Sequence, residues 1–254
     1  MDLLLEATRQ AERRHFWFQG FRRFAGPLVA RAADEVRLAR GHRDLEILDC
    51  GCGTGVNLGL LAPYGRVTGI DLAERGLRFA RADGHRRIAR ADAAALPFAD
   101  ASFDLVASFD VIYALSDEDE AAALREMHRV LVPGGALVLN VAAMPLLRGN
   151  HSVLALERRR YTRAMLRERL GRARFRIARL THTNAALFPL VAAVRLGQRA
   201  LGLAARGEDA TAEMRVPPAP INAALAALLA LEARVVRHVD LPFGSSLICL
   251  AYRA

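Results

Sequence analysis

Short apolar runs alternate with longer stretches of helical spacing along most of the chain, and that alternation predicts the architecture. Leu45, Ile47 and Leu48 form a brief apolar approach to Asp49, and an amphipathic run follows from Val56 through Leu58, Leu60 and Leu61. Val67–Asp71 reads as a second strand and Glu74–Asp83 as a helix. Leu105–Ala107 reads as buried strand, and Leu124–Leu131 as a helix leading into a strand over Val132–Leu139. Arg174–Leu180 alternates with period two, and Gly244–Tyr252 gives a closing strand-like run. Strands separated by helices imply right-handed βαβ units and a mainly parallel sheet. Any ligand is then expected beyond the carboxyl ends of the strands, where their order reverses.

Two further helical runs, Leu187–Ala204 and Ile221–Val239, are joined by a polar, proline-rich loop over 207–220. The second places Ile221, Leu225, Leu228, Leu229, Val235, Val236 and Val239 on an amphipathic face. The uncharged part of each run is shorter than the ~20 residues a bilayer core requires, so no transmembrane segment is expected. The runs are expected to cap the site or to form a homodimer face; an arginine-flanked amphipathic helix also suits weak association with a membrane surface.

At 254 residues, with 53% of them apolar, the chain fits one α/β domain with additions. The expected segments are an amino-terminal helical lid (1–40), a core (41–184), a helical insertion (185–240) and the closing strand (241–254). Cys50, Cys52 and Cys249 make no disulfide framework, which suits a reducing, cytoplasmic setting. Without a second Cys or His pair, Cys50 and Cys52 are expected to be packing residues, and no metal site is expected. The formal charge of +9 would suggest nucleic acid, but all 36 basic residues are arginine. With alanine abundant, that is the mark of codon usage, and no nucleic-acid partner is expected. Arg158–Arg160 are read as a solvated face or as a contact for an anionic substrate.

The candidate chemistry begins at Leu48-Asp49-Cys50-Gly51-Cys52-Gly53-Thr54-Gly55, a strand end followed by glycine at every second position. In such a turn the missing Cβ atoms let a ligand lie on backbone N–H groups at a helix start. Asp71, 20 residues past Gly51 at the tip of the second strand, is placed to accept from both hydroxyls of a ribose. A dinucleotide fingerprint needs a third glycine where this chain has Val56 or Leu58, so a nucleoside without pyrophosphate fits better.

The D-x-G-x-G-x-G spacing resembles motif I of class I S-adenosylmethionine-dependent methyltransferases. In order and spacing, Ala91-Asp92, Leu96-Pro97-Phe98, Ser102-Phe103-Asp104-Leu105-Val106 and Arg129-Val130-Leu131-Val132-Pro133-Gly134-Gly135 match the large small-molecule branch called type 11. The resemblance implies a Rossmann-like, doubly wound seven-stranded sheet with its last strand antiparallel. It implies S-adenosyl-L-methionine as cofactor, S-adenosyl-L-homocysteine as product, and a small-molecule substrate methylated by in-line displacement. By the same resemblance Asp49 belongs to the cofactor site, Gly51, Gly53 and Gly55 pack on the methionine part, and Asp71 holds the ribose. Leu72 packs on the adenine, Asp92 accepts from its amino group beside the Ala93 backbone, and Ser108 lies beside the sulfonium. Asp104 is a structural turn residue.

Glu12-Arg13-Arg14-His15-Phe16-Trp17-Phe18 resembles an E-x-x-H-W-W-F leader of one subgroup, which lies as a lid over the cofactor mouth. Trp17 is then a cofactor neighbour and His15 a substrate neighbour, although stapling the leader to the domain is an equal role for the aromatics. Arg22 or Arg23 is expected to reach the cofactor's carboxylate. His151, Arg160, Tyr161 and Thr162 match a second subgroup pattern; Ser152 stands in place of an acid, and Glu157 and Tyr113-Ala114 stand where the pattern has histidines. His151 is the candidate base, with Tyr113 and Asp110 orienting and Asn140 and Tyr161 among the substrate contacts. The two segments are expected to meet over the methyl group and enclose a mostly apolar pocket. Binding of the cofactor without methyl transfer, or modification of a macromolecule, are the alternatives.

Overall fold

The computed structural model describes residues 2–41, 44–145, 157–189, 192–193 and 215–254. Seven strands form one sheet: β1 (Leu45–Cys50), β2 (Gly65–Asp71), β3 (Ile88–Arg90), β4 (Phe103–Phe109), β5 (Leu131–Ala142), β6 (Phe175–Thr183) and β7 (Ser246–Arg253). Their order is β3-β2-β1-β4-β5-β7-β6. β1 to β5 pair in parallel, and β7 slots antiparallel between β5 and β6, as the sequence pattern and the resemblance imply. The order reverses between β1 and β4, where Asp49 is in register with Gly69 of β2 and Ala107 of β4.

Helices cover both faces, which is why β4 is buried along its whole length and carries no polar alternation. On one face α2 (Phe16–Arg40) lays Ala25, Leu28, Val29, Ala32, Ala33 and Val36 against Ile47, Leu105, Val138 and Leu250. That spacing is one helical stripe, and each fully buried Leu or Val contributes about 1.5–3 kcal/mol gross. On the other face α5 (Asp117–Val130) and α6 (Arg163–Arg172) cover Leu48, Val106, Leu139 and Cys249. α3 (Leu58–Leu61) and α4 (Glu74–Ala82) complete the β1–β2–β3 side.

The leader departs from a single helix. α1 (Asp2–Ala11) stops at a turn, and His15 caps the start of α2 through a hydrogen bond accepted by Nδ1 from the Trp17 N–H at 3.2 Å. α1 is pinned to the end of α4, where Arg9 and Arg13 share Asp83 at 2.5 and 2.7 Å. Asp104 is structural as expected: it accepts from the Glu46 N–H at 2.9 Å and pairs with Arg40 at 3.1 Å.

Of the two insertion runs, the first lies mostly outside the described residues. The second forms α7 (Ala219–Val236), 18 residues of mean hydropathy 1.5. By length and composition alone α7 is long and apolar enough to cross a membrane, which its uncharged length had not suggested. It packs along α2 through Leu229, Ala233 and Val236 against Phe24.

Candidate functional site

β1 delivers Asp49 to the point where the strand order reverses. The residue is 1% exposed, and its Oδ2 has no hydrogen-bond partner among the described residues. Burial, with Asp71 nearby adding repulsion, pushes the carboxyl up to about 7. A buried carboxylate oxygen without a donor is costly, so this position fits a cationic or hydrogen-bonding ligand group. A second unpartnered buried atom, Ser108 Oγ, lies at the end of β4.

The turn after β1 is anchored by Gly51 and Cys52, whose N–H groups both donate to the Ile70 carbonyl at 2.8 Å. The three glycines differ in purpose. A Cβ on Gly51 would fall 2.2 Å from Val111 Cγ2, and on Gly55 it would fall 2.7 Å from Ala80 Cβ of α4. At Gly53, with φ of +53°, a Cβ would meet nothing within 4 Å. Gly53 therefore borders open space, while Gly51 and Gly55 are glycine for close packing with Val111 and α4. Cys52 packs with Leu58 and Leu77, and burial raises both Cys50 and Cys52 thiols far above the ordinary range.

Asp71 already holds the turn: Oδ2 accepts from the Gly53 N–H and Oδ1 from the Ala73 N–H, both at 2.8 Å. Each oxygen keeps a second lone pair for a ligand hydroxyl. Leu72 beside it is 52% exposed, an apolar surface facing outward at the same edge. Asp92 is exposed and caps its own turn, Oδ1 accepting from the Ala94 N–H at 2.8 Å, with Ala93 buried next to it.

The leader reaches this turn by a residue that sequence reasoning left without a role. Glu12 is fully buried, and its Oε2 accepts a short hydrogen bond from Thr54 Oγ1, between Gly53 and Gly55. Arg9 adds a contact to the other oxygen at 3.4 Å, and burial raises the Glu12 carboxyl above its usual range. Arg22 donates to the Glu12 carbonyl at 3.0 Å and so stays on the turn side, whereas Arg23 is taken by the Ala226 carbonyl of α7 at 2.7 Å. The aromatics staple. Trp17 and Phe16 pack with Leu225 and Leu229 of α7, and His15 caps α2 while stacking on Phe16 at 4.5 Å. That holds His15 and Trp17 in the leader's own packing. The only sequence signal for Glu12 was its place in the leader pattern; that its partner is Thr54 follows from the fold.

On the acceptor side, Asp110 leaves β4 with φ of +61°, an unfavourable conformation for a side chain other than glycine. Its N–H donates to the Asn140 carbonyl at 3.0 Å, and its Oδ1 accepts from Asn140 Nδ2 at 2.9 Å, so β5 fixes it. Asp110 is reached by solvent yet ringed by protein. That surrounding pushes its carboxyl up to about 7, against the lowering effect of Asn140. The buried Tyr113 hydroxyl is held well above its ordinary range by burial and by the nearby acids. Glu157, also buried, takes a two-pronged contact from Arg160 at 2.5 and 3.1 Å.

Two expectations are corrected here. Tyr161, expected as a substrate contact, is fully buried with its hydroxyl 3.5 Å from the Ile112 carbonyl, packed in the core beneath α5 and α6. Arg159 and Arg160 are spent on internal pairs with Glu120 (2.5 Å) and Glu157, so neither is a free contact for an anion. His151 and the meeting of its segment with the leader lie outside the described residues.

Comparison with known proteins places this geometry. A methyltransferase-domain family of type 11 matches residues 48–139. A candidate methyltransferase of Encephalitozoon cuniculi is 42% identical over 100 residues, 39% of this chain and 46% of that protein. A demethylmenaquinone methyltransferase of Listeria welshimeri is 35% identical over 123 residues, 44% of this chain and 51% of that protein. The chain thus spans about half the length of these relatives. Among solved structures, an S-adenosylmethionine-dependent methyltransferase of Mesorhizobium loti aligns with a TM-score of 0.56 at 21% identity, covering 89% of this chain and 96% of that one. A chain of the complex between the Haloferax volcanii Trm112 methyltransferase activator and its methyltransferase partner aligns with a TM-score of 0.57 at 20% identity, covering 96% and 92%. The structural likenesses speak for the fold, and the sequence match for the segment that bears the glycine turn, Asp71, Asp92 and Ser108. Residues 48–139 thus match a type 11 methyltransferase domain, and in that segment the chain is similar to S-adenosylmethionine-dependent methyltransferases.

Proposed function

We propose that the chain binds S-adenosylmethionine over the carboxyl ends of β1, β2 and β4 and directs methyl transfer to a small-molecule acceptor, leaving S-adenosylhomocysteine. The observation that carries this reading is the buried, unpartnered Asp49 Oδ2 beneath a turn whose Gly53 face is open. Such a carboxylate suits the ammonium of an amino-acid group. The remaining lone pairs of Asp71 suit ribose hydroxyls, Leu72 and Ala93 suit the two sides of an adenine, and Ser108 suits the region of the sulfonium. The cofactor supplies a methyl group on a positively charged sulfur, which is already a good leaving group.

This chain's residues would then supply position more than chemistry, because holding acceptor and methyl in line accounts for most of such a rate. Asp110 is the described group best placed to take a proton from an acceptor that must lose one, since Asn140 fixes one oxygen and solvent reaches the side chain. Glu12, through Thr54, holds the leader against the turn and so limits access of water. The type 11 family and the Listeria relatives, named for demethylmenaquinone, support a small molecule as acceptor.

Calorimetry with S-adenosylhomocysteine and with NAD tests the site, and incubation with methyl-labelled cofactor and a metabolite extract tests transfer. The expected result is micromolar-range binding of S-adenosylhomocysteine, negligible heat with NAD, and label in a small-molecule fraction. Tight NAD binding with no heat from S-adenosylhomocysteine would overturn the reading.

A further inference from the structure

α7 is anchored by one side only. Leu229, Ala233 and Val236 pack with Phe24, Ala226 is buried beside them in the sequence, and Glu232 turns inward to accept from the Ala185 and Ala186 N–H groups at 2.9 Å. The other side carries Ile221, Leu228, Leu231 and Val235, exposed by 53, 39, 58 and 47%, continued by Val239 and Phe243. Their spacing of seven, three and four residues makes one stripe along the helix.

Among the described residues the unpaired charge near this stripe has a single sign: Arg215, Arg234 and Arg237 are exposed and pair with no described acid, while Glu232 is buried and Asp240 is held by Arg179 at 2.9 Å. We propose that this face docks the protein on an anionic lipid surface. α7 lies in the plane of the interface, its apolar stripe in the acyl-chain boundary and the three arginines against lipid phosphates. A span would require taking Glu232 from its two backbone donors into hydrocarbon. A two-fold contact between copies would set the cationic rim against itself.

Both ends of α7 connect to elements near the carboxyl edge of the sheet. The start of α7 is tied to the leader by Asn222 Oδ1, which accepts from the Phe16 N–H at 2.9 Å. Its end runs through Leu241, bridged to His182, into β7, whose Ser246 pairs with Ala142 at the carboxyl end of β5. Docking there would present the crevice to acceptors lodged in the bilayer. That consequence rests on the methyl-transfer reading; the docking itself does not.

Co-sedimentation of the full chain with phosphatidylcholine vesicles, with and without phosphatidylglycerol, tests the proposal. Binding is expected with phosphatidylglycerol, weakening as salt rises. Leu231→Gln with Val235→Gln should lower partitioning about tenfold. Arg234→Gln with Arg237→Gln should lower it about twentyfold, on anionic vesicles only. Unchanged melting curves show that the variants fold, and S-adenosylhomocysteine binding in the same samples reports separately on the cofactor reading. Equal sedimentation with and without phosphatidylglycerol would overturn the proposal. So would stripe variants that bind like the parent, or a dimer in sedimentation equilibrium that Leu231→Gln dissolves.

Discussion

In Asp49→Asn the buried carboxylate that ends β1 is exchanged for a neutral group of nearly the same shape. A carboxyl whose native pKa lies above its unfolded value binds more protons folded than unfolded between the two values. Stability therefore falls as pH rises from about 4 to about 7 and stays at the lower level above that. The rise from 3.8 to about 7, at about 1.4 kcal/mol per pH unit, sets a ceiling of roughly 4 kcal/mol on the cost. Relaxation and water entry reduce such penalties, so the cofactor-free variant is expected to gain about 1–3 kcal/mol over the parent near pH 8 and about a quarter of that near pH 4.5. Its affinity for S-adenosylhomocysteine should move the other way, falling about 10- to 100-fold as the ligand's ammonium loses its charged partner. Urea unfolding at the two pH values, with calorimetry at the higher one, reads both effects. A variant no more stable than the parent near pH 8, or one that binds the ligand as tightly, would refute the reasoning.

Gly55→Ala should lose about 2–4 kcal/mol of stability, because its Cβ meets Ala80 at 2.7 Å in a left-handed conformation. Gly53→Ala should lose only about 1–2 kcal/mol yet abolish cofactor binding; melting curves and calorimetry on the pair separate packing from ligand contact. Glu12→Ala removes the acceptor of Thr54 and is expected to cost about 1–3 kcal/mol and to speed hydrogen exchange in residues 2–20, with unchanged exchange arguing that the leader is held elsewhere. If Asp110 takes the acceptor's proton, turnover should rise through about pH 7, where its carboxyl ionises, and Asp110→Asn should flatten that limb of the pH–rate profile. Asp71→Ala should weaken cofactor binding by about 1.5–3 kcal/mol and also loosen the turn, since its oxygens accept from Gly53 and Ala73.

Periodicity and punctuation were enough to set out the sheet. Apolar runs of strand length, each separated from the next by helix-spaced residues, leave only a few topologies, and glycines where a strand must turn into a helix mark the ligand edge. Asp49, Gly53 and Asp71 were legible for the same reason: strand ends and tight turns are local, and the residues that make them are neighbours in the chain. What tertiary structure alone decided is everything that depends on a distant partner. Glu12 meets Thr54 across 42 positions and Asp110 meets Asn140 across 30, and no periodicity carries such pairings. Tyr161 and Arg159–Arg160 looked like acceptor contacts in one dimension. The packing of α5 and α6 buried Tyr161 and paired Arg159 with Glu120, while Arg160 is taken locally by Glu157 three residues before it. The three glycines, equivalent in sequence, became different because Val111 and Ala80 crowd two of them while nothing crowds Gly53. An amphipathic pattern told that α7 would bury one side; only the fold showed which apolar stripe Phe24 covers and which it leaves exposed.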